Sequence, residues 1–144
     1  MPERAVIDTN VLMRAFLKPG SAVHAVLDAW FAGWYDIVWS RAILDEYRAV
    51  FDYPRIQKYG PDLEAFAFLL WSMETLAIES QPTGTVTVCR DARDNIFLDT
   101  ALVGRASYIV TADEDLWTLQ EYKGVKIVQW KRFLNLIGSP WAAP

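Results

Sequence analysis

Short apolar runs alternate along the chain with longer stretches whose apolar residues recur every three or four positions. Ala5-Val6-Ile7, Ile37-Val38-Trp39, Tyr108-Ile109-Val110 and Val125-Lys126-Ile127-Val128 read as strands. The stretches between them read as amphipathic helices. Ser21 caps one that carries Val23, Val26, Leu27 and Trp30 on a stripe and ends at Gly33. Ser40 caps a second, with Ile43, Leu44, Tyr47, Val50 and Phe51 at helical spacing, and Pro54 ends it. Asp62 caps a third running to about Thr75 through Phe66, Leu69, Leu70 and Met73. Asp91 caps a fourth running to about Arg105, and Lys131 to Leu136 forms a short last helix. Val86-Thr87-Val88 fits either a short strand or a loop.

This alternation predicts an α/β fold: a three-layer α/β/α sandwich around a mainly parallel sheet. Lys18-Pro19-Gly20, Tyr59-Gly60-Pro61 and Gln81-Pro82-Thr83-Gly84 read as loops inside one unit, so residues 1–144 are expected to form a single domain. In open parallel sheets, ligands sit beyond the carboxyl ends of the strands, near the point where strand order reverses.

Composition changes this picture little. Hydrophobic residues make up 53% of the chain and charged residues 22%, as in a globular core-forming protein. The net charge of -4 does not decide for or against nucleic acid, because a carboxylate cluster that holds a cation lowers it. Cys89 is the only cysteine, which excludes an internal disulfide and a cysteine-based zinc cluster. With no signal-like start and no apolar stretch of membrane length, a cytoplasmic protein without membrane contact is expected.

Four acids fall where such a sheet would place a site. Asp8 directly follows the first strand, and Asp113 follows Tyr108-Ile109-Val110 after only Thr111-Ala112. Glu46 lies three residues after Ile43 and four before Val50, near the inward stripe of its helix. Asp94 heads a stripe of Phe97, Leu98 and Ala101. Each has a plain structural role as well: a turn residue at Asp8, a surface acid at Glu46, a first-turn charge at Asp94, a cap for Glu114 to Leu119 at Asp113. Brought together, four carboxylates repel one another and require a counter-charge. Oxygen-only ligands favour Mg²⁺ or Mn²⁺, and either ion can activate a water and steady charge on a phosphate.

Asp115 fits either a fifth ligand or a solvated acid. Thr9, Asn10 and Thr111 are candidates to orient the carboxylates, with Asn10 equally a cap for a helix starting at Val11. Asp99 and Asp45 are left outside the site. Arg14, Lys18, Arg41, Arg48, Arg90 and Arg93 lie near these segments and could meet phosphates, though no particular residue is fixed as RNA-binding. Phe16 and Tyr53 fit either base stacking or core packing, whereas Cys89 reads as buried and inert and His24 as a surface or packing residue.

Val6-Ile7-Asp8-Thr9-Asn10-Val11-Leu12 resembles the opening motif of PIN domains. Ser40 to Tyr47, Arg90 to Leu98 and Ile109 to Leu116 are similar to their second, third and fourth acidic motifs, in the same order and spacing. The resemblance spans roughly Arg4 to Leu136 and is nearest to VapC-like toxin components of toxin–antitoxin pairs. It implies the α/β/α sandwich, Mg²⁺ or Mn²⁺ dependence and endoribonuclease activity on RNA. It further implies inhibition by a cognate antitoxin, frequent homodimers, and Asp8, Glu46, Asp94 and Asp113 as catalytic and metal-binding residues. The alternative within the family is a catalytically silent PIN-fold module that binds RNA or a partner. Two other α/β readings compete. A phosphoacceptor domain wants an acidic pair after the first strand, where only Asp8 stands, and an aspartate after a central strand, where Ser40 stands. The other is a phosphohydrolase with an aspartate nucleophile.

Overall fold

The computed structural model describes residues 2–141. Strand β1 (Glu3–Ile7) is followed by helix α1 (Thr9–Leu17), a 3-10 turn at Ala22–His24 and α2 (Ala25–Phe31). Strand β2 (Tyr35–Trp39), α3 (Arg41–Phe51), α4 (Pro54–Gln57), α5 (Leu63–Leu76) and β3 (Ile78–Glu79) come next. A second 3-10 turn at Ala92–Asp94 leads into α6 (Asn95–Val103), β4 (Tyr108–Val110), α7 (Glu114–Trp117), β5 (Glu121–Tyr122), β6 (Val125–Val128) and α8 (Trp130–Leu136).

The sheet runs β3-β2-β1-β4-β6-β5 and is parallel except for β5 against β6. Strand β1 pairs with β2 on one side and β4 on the other, so order reverses between β1 and β4. Beyond those two carboxyl ends a ligand site is expected. Side-chain alternation assigns the layers. Tyr35 and Tyr108 meet Phe133 of α8 edge-on, with ring centroids 4.7 and 5.5 Å apart, and the Tyr35 hydroxyl donates to the Val26 carbonyl of α2 at 2.7 Å. Val38 points to the other face, where a Cβ added at Gly104 would collide with it, so α6 ends closely applied to the sheet. Helices therefore cover both faces of a mostly parallel sheet, the α/β/α sandwich expected from the pattern.

Several boundaries differ from the sequence reading. Helix α1 starts at Thr9, with Asp8 at its N-cap position, so Asn10 lies inside the helix and does not cap it. The Ser21 side chain caps no helix: its hydroxyl donates back to the Lys18 carbonyl at 2.6 Å. Pro54 does not simply end α3, which stops at Phe51; it opens α4, where its missing N–H costs no hydrogen bond. Val86-Thr87-Val88 is a loop, one of the two alternatives the sequence leaves open. Strands β3 and β5, of two residues each, have no counterpart in the sequence pattern. The β5–β6 hairpin turns through Lys123 and Gly124, both at positive φ, as a two-residue turn with the right twist requires. Among the described residues no helix is long and apolar enough to cross a membrane.

Candidate active site

The end of β1 is tied to its neighbours by short-range bonds. The Asp8 N–H donates to the Val110 carbonyl of β4 at 2.9 Å, and the Thr111 hydroxyl donates to Asp8 Oδ2 at 2.7 Å. The Asp113 N–H in turn donates to the Thr111 hydroxyl at 3.0 Å. Thr111 thus holds two of the four acids through one side chain. The Tyr47 hydroxyl, fully buried on α3, donates to the Ile7 carbonyl and clamps that helix against the strand end beside Asp8.

Helix α3 owes its start to Ser40, whose hydroxyl accepts from the Ile43 N–H at 3.4 Å and from the Thr100 hydroxyl of α6 at 2.8 Å. This registers α3 against α6 and brings Glu46 toward the strand ends. The Thr9 hydroxyl donates to Glu46 Oε2 at 2.6 Å. Asp94 sits where the 3-10 turn becomes α6, after Asp91, whose carboxylate accepts from the Arg93 N–H at 3.0 Å. Asp113 caps α7 by accepting from the Asp115 N–H at 2.9 Å, so its plain structural role is real.

Asp8, Glu46, Asp94 and Asp113 line one cavity of about 170 Å³, with Thr9 and Asn10 in its wall. Asp8 is 6% exposed and Asp94 9%. Burial pushes the Asp8 carboxyl up to about 6; the Thr111 hydrogen bond opposes this, and the charges of Asp113 and Glu46 add to it. Burial likewise raises Asp94 to about 7, reinforced by Asp113, Asp91, Asp8 and Glu46. Asp94 Oδ2 is buried without a hydrogen-bond partner among the described residues. A buried carboxylate oxygen in that state calls for a proton or a cation.

Among the described residues, no three His, Cys, Asp or Glu side chains are arranged as a ready-made group for a metal ion. The four acids share a cavity and repel one another there without closing into a cage. The donor chemistry still fits a hard divalent cation: oxygen ligands only, an orphaned buried oxygen, and two carboxyls raised by burial and like charge. Asp8, Glu46, Asp94 and Asp113 are the residues that could hold one.

Other expected participants fall outside this arrangement. Asp115 is exposed, does not line the cavity, and has the Arg90 guanidinium 4.0 Å away. Asn10 Oδ1 accepts from Arg55 at 3.4 Å and bonds none of the four acids. Arg41 and Arg48 pair with Glu74 at 3.5 and 3.0 Å. Phe16 packs edge-on against Phe51 and Phe66, so its role is in the core. Cys89 is only half-buried rather than fully enclosed, but burial and the nearby Asp94 lift its thiol to about 11, which keeps it inert. His24 is half-buried, with Nδ1 2.7 Å from the Ala15 carbonyl.

Asp91, Arg93, Arg55 and Tyr53 also line the acidic cavity. The sequence marks Asp91 only as a cap, Arg93 only as a general candidate for phosphate, and Arg55 not at all. Arg93 grips Asp91 at 3.0 Å, while Arg55 lies over the Tyr53 ring 5.8 Å from its centroid. No sequence signal marks Arg55, because the four-residue α4 that presents it is too short to show a periodicity.

Comparison with known proteins agrees with this geometry. A model of the PIN domain matches residues 4–115, a span that contains all four acids. The chain is similar to an uncharacterized protein of Methanocaldococcus jannaschii, 31% identical over 125 residues that make up 86% of this chain and 80% of the relative. With acids at the reversal point of a mostly parallel sheet and a family model covering most of its length, the chain belongs to the PIN-domain family.

Proposed function

We propose that this protein is a metal-dependent endoribonuclease that hydrolyses RNA phosphodiester bonds, and that Asp8, Glu46, Asp94 and Asp113 hold Mg²⁺ or Mn²⁺. One observation carries the reading: four carboxylates from four separate segments line one small cavity, and one of them buries an oxygen without a hydrogen-bond partner among the described residues. A divalent cation, when bound, supplies an acidified water and positive charge for a phosphate. The chain's own groups do the rest. Thr111 and Thr9 orient Asp8 and Glu46, and the guanidiniums of Arg55 and Arg93 stand at the same cavity to meet phosphate oxygens.

In this reading the protein is the toxin of a toxin–antitoxin pair, acting as a homodimer and silenced by a cognate antitoxin. Inspection of the adjacent reading frame for a small partner, and of growth on expression with and without it, tests that part.

A second reading is a catalytically silent PIN-fold module that binds RNA or a partner. It draws on the lack, among the described residues, of three acids arranged around a common point. One experiment separates the two. Purified protein with Mn²⁺ is expected to cut single-stranded RNA, and Asp8→Asn and Asp94→Asn to lose at least about 100-fold in rate while keeping a wild-type circular dichroism spectrum. Equal cleavage by wild type and both variants would sink the assignment, and binding without cleavage would favour the silent module.

A further inference from the structure

A second, larger cleft of about 610 Å³ opens beside the acidic cavity, lined by Asn10, Met13, Arg14, Leu17, Lys18, Arg55, Ile56, Lys58 and Tyr59. Asn10 and Arg55 line both, so the two spaces share a wall. The cleft contains four cations and no acid in a molecule whose net charge is -4. Among the described residues, Arg14, Lys18, Arg55 and Lys58 take part in no ion pair. Elsewhere the surface arginines Arg41, Arg48 and Arg93 do pair with acids. Cations such as Lys123, Lys126 and Lys131 are equally without an ion pair among the described residues, so what sets the cleft apart is that four unpaired cations share one lining that holds no acid.

Its layout is regular. Asn10, Arg14 and Lys18 stand four residues apart along α1 and its end, and Met13 and Leu17 lie between them on the same stripe. Four residues of helix rise about 6 Å, so Arg14 and Lys18 follow Asn10 at about 6 and 12 Å along the axis. That interval is close to the separation of successive phosphates in an extended single strand. The stripe begins next to Asp8 and Thr9 and leads away from them. Across from it, α4 and its flanks set aromatic rings next to cations: Arg55 lies over Tyr53, and Lys58 lies over Tyr59 at 5.7 Å. Tyr53 and Tyr59 are both exposed, one in each cavity. Cations that track a backbone together with exposed rings that stack on bases are the means by which proteins hold unpaired nucleic acid.

We propose that the cleft between α1 and α4 is a subsite for single-stranded RNA. Arg14, Lys18 and Lys58 hold successive backbone phosphates to one side of the bond at the acidic cavity, and Tyr59 stacks on a splayed base. This rests on the nuclease reading for the identity of the strand, but not for the binding itself. Arg55, common to both cavities, marks the junction between held strand and acidic site.

The test is binding of a fluorescein-labelled single-stranded oligoribonucleotide in EDTA, measured across a salt series, alongside cleavage kinetics in Mn²⁺. The triple variant Arg14→Gln/Lys18→Gln/Lys58→Gln is expected to bind at least about tenfold more weakly at low salt. Its slope of log K against log [salt] should fall by about 2, which is about 0.7 for each phosphate left without its cation. In cleavage its KM rises and its kcat is kept. Tyr59→Leu weakens binding without changing the slope, and a duplex of the same sequence binds less tightly than the single strand. Lys123→Gln/Lys126→Gln/Lys131→Gln, which removes the same charge outside both cavities, leaves the slope unchanged. The proposal is overturned by a wild-type slope in the cleft variant, by an equal loss in the control, by duplex binding as tight as single-strand binding, or by no RNA binding at all. Binding through the cleft without any cleavage would remove the nuclease reading and leave the subsite. Cleavage that is indifferent to the cleft variant would do the reverse.

Discussion

Asp8 shows at the scale of one residue how a site conflicts with stability. Its carboxyl is 6% exposed, and burial lifts it from 3.8 to about 6. Because the folded pKa lies above the unfolded one, the folded state holds the proton more tightly. The stability from that proton is fully present below about pH 4 and is lost as pH rises through about 6. Above that range the ionised group costs about 2 to 3 kcal/mol, the difference between 3.8 and about 6 converted at about 1.36 kcal/mol per pH unit. Asp8→Asn removes the charge and keeps an oxygen for the Thr111 hydroxyl. In EDTA at about pH 8 the variant should therefore resist urea better than wild type, with the gap closing toward about pH 4. Identical unfolding midpoints at the higher pH would show that Asp8 is not held at a penalty. The four cavity acids are legible in the sequence because Asp8 and Asp113 follow strand ends, Asp94 heads an apolar stripe and Glu46 lies beside one, where local structure gives a poor reason for a charge. Asp91 is not, since capping the 3-10 turn explains it fully. Asp115 looks more promising in the sequence than in the fold: its N–H stays bonded to the Asp113 carboxylate, but its own side chain is exposed and does not line the cavity.

At the scale of elements, the strands and helices that carry the core are readable and the minor ones are not. β4 (Tyr108–Val110) and β6 (Val125–Val128) match the apolar runs residue for residue, and α5 (Leu63–Leu76) begins after Asp62, which accepts from the Ala65 N–H at 3.1 Å. The two-residue β3 and β5 have no room for an alternating pattern, and only pairing with β2 and β6 makes them strands. The segment around Val86-Thr87-Val88 is shaped from outside itself. Asp99 of α6, 4% exposed, accepts from the Thr83 N–H and hydroxyl at 3.1 and 3.2 Å and from the Gly84 N–H at 2.6 Å. It pins the loop at Thr83 and Gly84, a use that periodicity alone could not reveal. Helix α6 also depends on a close approach at its end. Gly104 is at φ -79°, which any residue adopts, yet a Cβ there would strike Val38 and lie 3.0 Å from the Thr100 carbonyl oxygen. Gly104→Ala should accordingly destabilise the fold by about 1 to 3 kcal/mol through overpacking. Because Thr100 of the same helix bonds Ser40, the displacement should also lower the rate of any cleavage. A melting temperature equal to wild type would mean that the helix end is free to shift.

At the scale of the whole molecule, the order β3-β2-β1-β4-β6-β5 does for the site what no single element can. Reversal between β1 and β4 opens a crevice at their carboxyl ends, where Asp8 and Asp113 arrive from strands far apart in sequence; the Thr111–Asp8 bond spans 103 positions. Helices α3 and α6 deliver Glu46 and Asp94 to the same crevice, where the like charges meet with Asp8 and Asp94 buried and Glu46 and Asp113 half-buried. Folding therefore works against this concentration of charge unless a proton or a cation offsets it. With a cation as the counter-charge, stability and ion binding are linked across the entire fold. At about 100 times Kd, a divalent ion bound only to the native state adds about 2.7 kcal/mol. For a chain of this size that is on the order of 5 to 10 °C in Tm. Mn²⁺ should thus raise the melting temperature at about pH 8, and do so less as pH falls through 6 to 7, where Asp8 and Asp94 take up protons that compete with the ion. Asp94→Asn should abolish most of the rise, because it removes the carboxylate whose buried oxygen has no partner among the described residues. Sodium chloride at matched ionic strength screens exposed charges but reaches this crevice poorly, so it should give only a small part of the effect. If sodium reproduced the shift, or if Asp94→Asn kept it, the acids would be repelling one another without ever sharing an ion.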